Sequence, residues 1–333
     1  MKNLKFLLLT VPFFFISCEK DKIEGPSLND LYGELTILEP LVVMGDSADF
    51  SVGENIYFTA SFSKQVDWKI KIEGLYSGSI KIISGKSDII NQSNSLWNGE
   101  SSLLPFFTVE DCNIELTFEM HDDTINSQLK IQGAKEYNDE STVLITDFEN
   151  GFNPNFTGFF QAGCTKALAT GESGQGLNHL QQFGTCDWDW LIGYIDYYAS
   201  FWFNENTLVS DASQVYFNIM INGDSTISQI AGVPNSLFKL EFYEDENGDG
   251  YYDASSEDRY DYEFEVDWKG WRMISICYND VEKLVLSANG GDGIRNPSEI
   301  SNIRTLLLAN PESGFAKADV DFLIWSIGAP ILN

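Results

Sequence analysis

The chain has 333 residues and a formal net charge of −30, from 50 acidic and 20 basic residues. A balance that negative excludes nucleic acid and anionic lipid as partners, since both require a basic patch, and it suits a solvated extracellular protein or one that takes up calcium. Two histidines, His121 and His179, leave too little material for a His-rich metal site or a His-based catalytic triad.

In chain order, the first element is a leader. Met1-Lys2-Asn3-Leu4-Lys5 precedes an apolar run from Phe6 to Ile16, and Ser17-Cys18-Glu19-Lys20-Asp21 follows. A short basic start, an apolar stretch of about 7–15 residues and a small residue at the cut make a secretory signal. The stretch falls short of the roughly 20 apolar residues that span a bilayer. The cysteine directly after Ile16-Ser17 resembles the lipobox of bacterial lipoproteins, which implies cleavage before Cys18 and lipid on that residue. Glu19-Lys20-Asp21-Lys22-Ile23-Glu24 is similar to the charged export tag of Bacteroidetes surface lipoproteins, which implies an outer-membrane anchor with the protein facing the medium. Residues 1–17 are thus read as a lipoprotein signal peptide. Residues 18–33, poor in apolar side chains and carrying Gly25-Pro26-Ser27, are read as a flexible tether.

From residue 34 almost everything reads as strand. Trp68, Ile70 and Ile72 alternate with Lys69, Lys71 and Glu73, and Ile114, Leu116, Phe118 and Met120 alternate with polar residues. That is the period of a strand with one buried face. Residues 34–134 hold about seven candidate strands and have the length of an Ig-like (PKD-like) domain. Cys112 has no mate there, so the antibody-type bridge is absent. Trp97-Asn98-Gly99 resembles the Trp-Asp/Asn-Gly turn of bacterial Ig-like modules, which implies a Trp packed over a tight turn and a spacer role. The polar stretch from Gly133 to Ser141 reads as the linker.

Residues 142–333 continue as strands. Val215, Phe217, Ile219 and Ile221 alternate, as do Phe238, Leu240 and Phe242, and Tyr262, Phe264 and Val266. Short helical turns are expected near Pro297–Ile300 and Asn302–Leu307. The fold class is therefore all-β: an N-terminal Ig-like β-sandwich followed by a C-terminal jelly-roll β-sandwich. Cys164 and Cys186 are candidates for a disulfide in an oxidising compartment, and Cys277, in an apolar strand, for a buried thiol.

Three segments of this half resemble a galactose-binding-like carbohydrate-binding jelly roll. They are Val143 to Gly151 with its Asp147-Phe148-Glu149, Gly270-Trp271-Arg272-Met273-Ile274-Ser275-Ile276, and Val320 to Gly328. Gly171-Glu172-Ser173-Gly174-Gln175-Gly176-Leu177 is similar to the Gly-rich loop that wraps a structural calcium in such modules. An Ig-like module followed by this one behind a lipid anchor resembles the surface glycan-binding proteins of Bacteroidetes uptake systems. The resemblance implies a polysaccharide or oligosaccharide ligand and a SusC/SusD-like transporter as partner.

Two constellations carry chemistry. Asp245-Glu246-Asn247-Gly248-Asp249-Gly250-Tyr251-Tyr252-Asp253 has the alternating oxygens of a calcium loop. Asp245, Asn247, Asp249, the Tyr251 carbonyl and Asp253 are the candidate Ca2+ ligands. The twelfth position is Ser256 rather than an acid, and the flanks alternate as strands, so the loop reads as a hairpin tip ordered by structural calcium. The second constellation is aromatic: eight rings fall between Trp188 and Phe203. Sugars lay apolar C–H faces on Trp and Tyr rings and need polar groups at their edges. With Phe201 and Phe203 placed inward, strand phase puts Tyr198, Trp202, Tyr216, Asn218, Lys239, Glu241 and Tyr243 on one outward face, and Trp188 joins them as a glycan-binding candidate. Trp190, Trp271 and Trp325 are read as core. A glycosidase needs two carboxylates at a set separation, but 50 acidic residues always supply some pair, and no nucleophile elbow, zinc helix or phosphate loop is present. The sequence thus points to a non-catalytic surface lipoprotein that binds an extracellular polysaccharide. A structural or adhesive lipoprotein with a protein partner is the alternative, and a divergent glycosidase the third.

Overall fold

A computed structural model describes residues 34–185, 190–204, 208–223, 236–283, 290–310 and 314–332. Cys18, Cys186 and Trp188 lie outside the described residues. Residues 37–333 form one compact unit; of the unit before it, only residues 34–36 are described, and they carry no regular element. No helix among the described residues is long and apolar enough to cross a membrane.

The first half is a single sheet of six strands: β1 (Ile37–Val43), β2 (Ser47–Asp49), β3 (Phe58–Gly74), β4 (Ile80–Ile90), β5 (Asp111–Phe118) and β6 (His121–Gly133). The order is β1-β3-β5-β6-β2, with β4 also paired to β3 and β2 running parallel to β6. β3 is 17 residues long. Its start pairs with β1 and its remainder with β5, placing Trp68 against Phe118, Ile70 against Leu116 and Ile72 against Ile114. All six side chains are buried, as their alternation requires. Met120, expected on the same face, instead sits exposed in the turn between β5 and β6. Trp97 is buried between Phe50 and Phe107, and its indole donates to the Glu100 carbonyl at 2.8 Å. Gly99 beside it has φ +89°, and a Cβ there would stand 2.6 Å from the Phe50 ring, so the turn requires glycine on both counts.

The second half is a two-sheet antiparallel sandwich of the jelly-roll class. Its strands are β7 (Thr142–Thr146), β8 (Thr157–Phe160), β9 (Thr165–Thr170), β10 (Asn178–Thr185), β11 (Leu191–Tyr198), β12 (Val215–Gly223), β13 (Ser236–Glu244), β14 (Arg259–Glu265), β15 (Gly270–Cys277), β16 (Glu282–Lys283), β17 (Ile300–Ala309), β18 (Phe315–Lys317) and β19 (Asp319–Ile327). One sheet runs β15-β12-β19-β10-β18, with β7 on β19 and β9 on β10; the other runs β16-β14-β13-β17-β11-β8. The core lies between them, where Phe217 of the first sheet meets Phe242 of the second edge-on at 5.7 Å and Phe242 meets Tyr278 at 5.3 Å. Pro297–Glu299 is a short helical turn, as expected. Asn302–Leu307 is not: it is the middle of β17, paired on both sides. Its helix-like run of apolar residues arises because Ile303 and Leu307 face the core while Leu306 and Leu308 are half-buried on the other face.

The outer face of the first sheet is covered around β12 and β19. Phe322, Met220 and Ile324 project there and form a cluster with Phe106 of the first half and Tyr137 of the connecting stretch. Tyr137 stacks on Phe106 at 4.8 Å, and Phe322 stands edge-on to both, at 5.3 and 5.5 Å. The connecting stretch is thereby held down by an aromatic triplet, and the two halves share a small apolar core of their own.

Candidate functional site

The outer side of the other sheet carries a polar network, much of it buried. Inner positions of β13, β17 and β11 are fixed by the core: Phe238, Leu240 and Phe242 oppose Leu307, Thr305 and Ile303, and Ile195 and Tyr197 follow. The intervening residues therefore share the outer face. Across the strands the register aligns Asp261, Glu241, Arg304 and Asp196 in one row, and Arg259, Tyr243, Asn302 and Tyr198 in the next.

Arg304 is the hub of this face. Its Nε and Nη2 donate to the two Asp196 oxygens at 2.8 and 3.0 Å, and its guanidinium lies over Tyr194 at 3.9 Å and near Tyr243 at 5.4 Å. Asn302 donates to the same carboxylate at 2.7 Å. Burial works to lower Arg304, but the Asp196 bonds and the Tyr243, Asp196 and Glu241 charges outweigh it and raise it, so the cation is permanent. Beside it the Tyr243 hydroxyl donates to Glu241, and burial followed by that neighbouring charge lifts the phenol well above its usual range. Lys239 pairs with Asp261 and stands 3.7 Å from Glu241, while Arg259 reaches Glu241 at 3.8 Å. Each cation of this network is thus met by a carboxylate.

At one end the network opens into a cleft of about 620 Å³ lined by Tyr198, Tyr243, Asn302 and Arg304, by Ser200, Ile300 and Ser301, and by Asp245, Asp249, Tyr251 and Tyr252 of the β13–β14 hairpin. Tyr251 is 79% exposed. Tyr252 meets Tyr243 edge-on at 5.0 Å, and the Tyr198 hydroxyl is bonded to Thr157 at 3.0 Å. Rings that stay accessible beside amide, hydroxyl and carboxylate groups offer stacking surface and edge hydrogen bonds together.

The sequence-predicted residues divide on this geometry. Tyr198, Lys239, Glu241 and Tyr243 share the outer side of this sheet, but Glu241 and Tyr243 are themselves buried there, each 6% exposed, because they pair with each other and with the cations around them. Tyr216 and Asn218 do not: they sit on β12, on the outer side of the opposite sheet. Asn218 is 0% exposed. Its amide donates to Ser326 at 2.9 Å and to the Ile324 carbonyl at 3.3 Å, while its carbonyl accepts from Ser275 and from the Ile331 backbone. Asn218 is therefore a buried clamp on the C-terminal segment. Trp202 is 7% exposed, packed on Phe203 and Trp325, with its indole donating to the Tyr197 carbonyl. The strand ends at Tyr198 and a 3-10 turn spans Ala199–Phe201, which resets the phase: Phe201 is outside and Trp202 inside. Trp190, expected in the core, is exposed, whereas Trp325 is buried as expected and Trp271 is half-buried with its indole on the Glu172 carbonyl. Cys277 is half-buried, its thiol near the Ala212 carbonyl. Arg304, Asp196, Asn302 and Tyr194 were not singled out from sequence; Arg304 lies in a strand with apolar side chains on both faces, where alternation is weak.

The expected calcium ligands are directed at backbone. Asp245 accepts from the amides of Gly248, Asp249 and Gly250, Asn247 from Asp249, Asp249 from Tyr251, and Asp253 from Ser255. The donor types suit calcium, and the carboxylate of Asp245 gathers the tip around itself. In the Gly-rich loop, Glu149 accepts from the amides of Leu177 and Asn178, and Asp321 from Gln175.

No family model matches this chain, and no curated protein matches it. Among solved structures it is similar to the family 11 carbohydrate-binding module from Clostridium thermocellum in complex with a β-1,3-1,4-mixed-linked tetrasaccharide, at 18% identity over 57% of this chain and 96% of that one, with a TM-score of 0.36. The family 11 module of the cellulosomal cellulase Lic26A-Cel5E of the same organism gives 17%, 56%, 94% and 0.36. The CBM51-2 and INT domains of Clostridium perfringens ZmpB give 9% identity over 72% of this chain and 44% of that one, with a TM-score of 0.24. Likenesses at these identities and TM-scores place no residue and assign no ligand.

Proposed function

We propose that the chain binds an extracellular polysaccharide, without cleaving it, on the outer face of the β13–β17–β11 sheet. The observation that carries this reading is the cleft in which Tyr198, Tyr251 and Tyr252 surround Asn302, Ser301 and Arg304. The three cations of the face are already paired with carboxylates, so uncharged sugars fit it better than sulfated or uronic ones. The same reading includes a lipid anchor at Cys18 in the outer membrane, surface exposure, and service to a SusC/SusD-like transporter; the leader residues support it, and fatty-acid labelling that disappears in Cys18→Ala tests the anchor. It also includes a structural calcium at the hairpin tip through Asp245, Asn247, Asp249, Tyr251 and Asp253, supported by their spacing.

The test is affinity electrophoresis and calorimetry of the mature chain against a panel of soluble neutral and acidic polysaccharides. Retention by a neutral glycan is expected, with Tyr251→Ala and Tyr198→Ala each weakening it about five- to tenfold, the equivalent of roughly 1 kcal/mol or more of stacking. Reducing ends released from a retained glycan would show a hydrolase instead. No retention by any glycan would discard the reading in favour of a protein partner.

A further inference from the structure

The root of the β13–β14 hairpin holds a second acidic constellation, separate from the tip. Glu244 ends β13, Glu246 follows it, and Asp258 immediately precedes β14. One carboxylate oxygen from each lies within 4.8 Å of the others, and among the described residues this is the group of three acids that converges so closely. Two oxygens on one calcium ion, each at about 2.4 Å, stand at most about 4.8 Å apart.

A cluster of acids alone is ordinary on a protein of this charge, but this one is built into the structure. Glu244 is 0% exposed. Its Oε1 accepts from the Tyr278 hydroxyl at 2.8 Å and the Asn296 amide at 2.7 Å. Its Oε2 is fully buried and accepts no hydrogen bond. A buried carboxylate oxygen left without a donor is costly unless a proton or a cation meets it. Among the described residues no Lys or Arg forms an ion pair with Glu244 or Glu246. The neighbouring arginines are occupied: Arg295 donates to the Val281 carbonyl and lies over the Tyr260 ring, and Arg259 turns to Glu241. The far side is closed by backbone. Gly293 donates to Asp258 at 2.6 Å and Asp292 to Glu246 at 3.2 Å. Gly291, at φ +92°, passes so close that a Cβ would stand 2.2 Å from Asp258 Oδ1 and 2.5 Å from Glu246 Oε1. Even a methyl group there would fill the space between the carboxylates.

We infer that Glu244, Glu246 and Asp258 form a site for a divalent cation of the calcium class, which fastens the root of the hairpin to the 290–293 segment. The site stands on its own geometry and does not depend on the glycan reading. Its position gives it a structural consequence: the hairpin it fastens supplies Tyr251 and Tyr252 to the cleft.

The experiment titrates calcium into the intact chain after chelation, by calorimetry, with terbium luminescence as a second readout, since the Tyr278 and Tyr260 hydroxyls bond directly to Glu244 and Asp258 and can sensitise the ion. Wild type is expected to bind, and Glu246→Gln and Asp258→Asn each to lose one site or weaken it by about tenfold or more. Asp249→Asn at the tip should leave that site in place. Glu246 is only half-buried, so Glu246→Gln keeps the test decisive if Asp258→Asn does not fold. A wild-type chain that takes up no calcium, or a folded Glu246→Gln variant with wild-type stoichiometry and affinity, would overturn the proposal.

Discussion

Arg304→Ala is the most informative perturbation of the polar network on the β13–β17–β11 sheet. The substitution removes two charge-assisted bonds to Asp196, at 2.8 and 3.0 Å, and the guanidinium stacked over Tyr194 at 3.9 Å. Asp196 keeps the Asn302 amide at 2.7 Å. Its side chain is only 5% exposed and that of Arg304 26%, so a charge is left in the sheet face with one donor in place of three. Removing one partner of a buried pair costs about 3–5 kcal/mol. Partial access of water to the arginine and the surviving amide argue for the lower end, about 3 kcal/mol, within which the stacking on Tyr194 accounts for roughly 0.5–1 kcal/mol. Urea unfolding at constant pH and salt measures this directly. The double variant Asp196→Ala/Arg304→Ala should recover part of the loss, because no unpaired charge then remains. If Arg304→Ala unfolds within about 0.5 kcal/mol of wild type, or if the two substitutions add without coupling, the hub assigned to Arg304 is wrong.

Trp202→Ala should lower stability by about 3–5 kcal/mol through the cavity beside Trp325 while leaving glycan affinity per folded molecule unchanged; a weakened affinity at wild-type stability would return this residue to the binding surface. Burial raises the Asp321 carboxyl to about 7, against the lowering effect of backbone donors from Gln175, Phe322 and Gly174. The folded state then holds a proton that the unfolded chain has already released, so this contribution is full below the ordinary carboxylate range and is lost as pH rises toward 7. In chelator, the wild-type unfolding free energy from urea titration should fall across that window with a slope of up to about 1.4 kcal/mol per pH unit that Asp321→Asn lacks, and equal slopes in the two proteins would count against it.

Strand phase was readable wherever one face of a strand had to be buried. Trp68, Ile70 and Ile72 in the first half, and Phe238, Leu240 and Phe242 in the second, all fall inside, and the phase of β13 puts Lys239, Glu241 and Tyr243 on a common outer side. Phase says nothing about which sheet a strand joins. Tyr216 and Asn218 alternate as cleanly as Lys239 and Glu241, yet β12 pairs with β15 and β19 while β13 pairs with β14 and β17. That choice depends on contacts far apart in sequence. Trp202 shows the complementary limit: a single 3-10 turn after Tyr198 shifts the inward position by one residue, and nothing in the aromatic composition marks the turn. Arg304 went unnoticed because β17 carries apolar side chains on both faces, which erases the contrast on which alternation depends. The cation site at the hairpin root was hidden by the regular spacing of the tip, which draws the eye to Asp245, Asn247 and Asp249 and away from the acids on either side.

The docking of Phe106 and Tyr137 on Phe322 bears on valence. With β12 and β19 closed on that side, the proposed function puts the ligand in the cleft beside the β13–β14 hairpin, so each chain acts as a monovalent receptor. A long polymer with repeating units would then be retained through several copies standing side by side, where the second and later contacts are intramolecular and gain from effective concentration. Residence time on the polymer would accordingly rise with the density of copies on a surface, with no change in the affinity of any single groove.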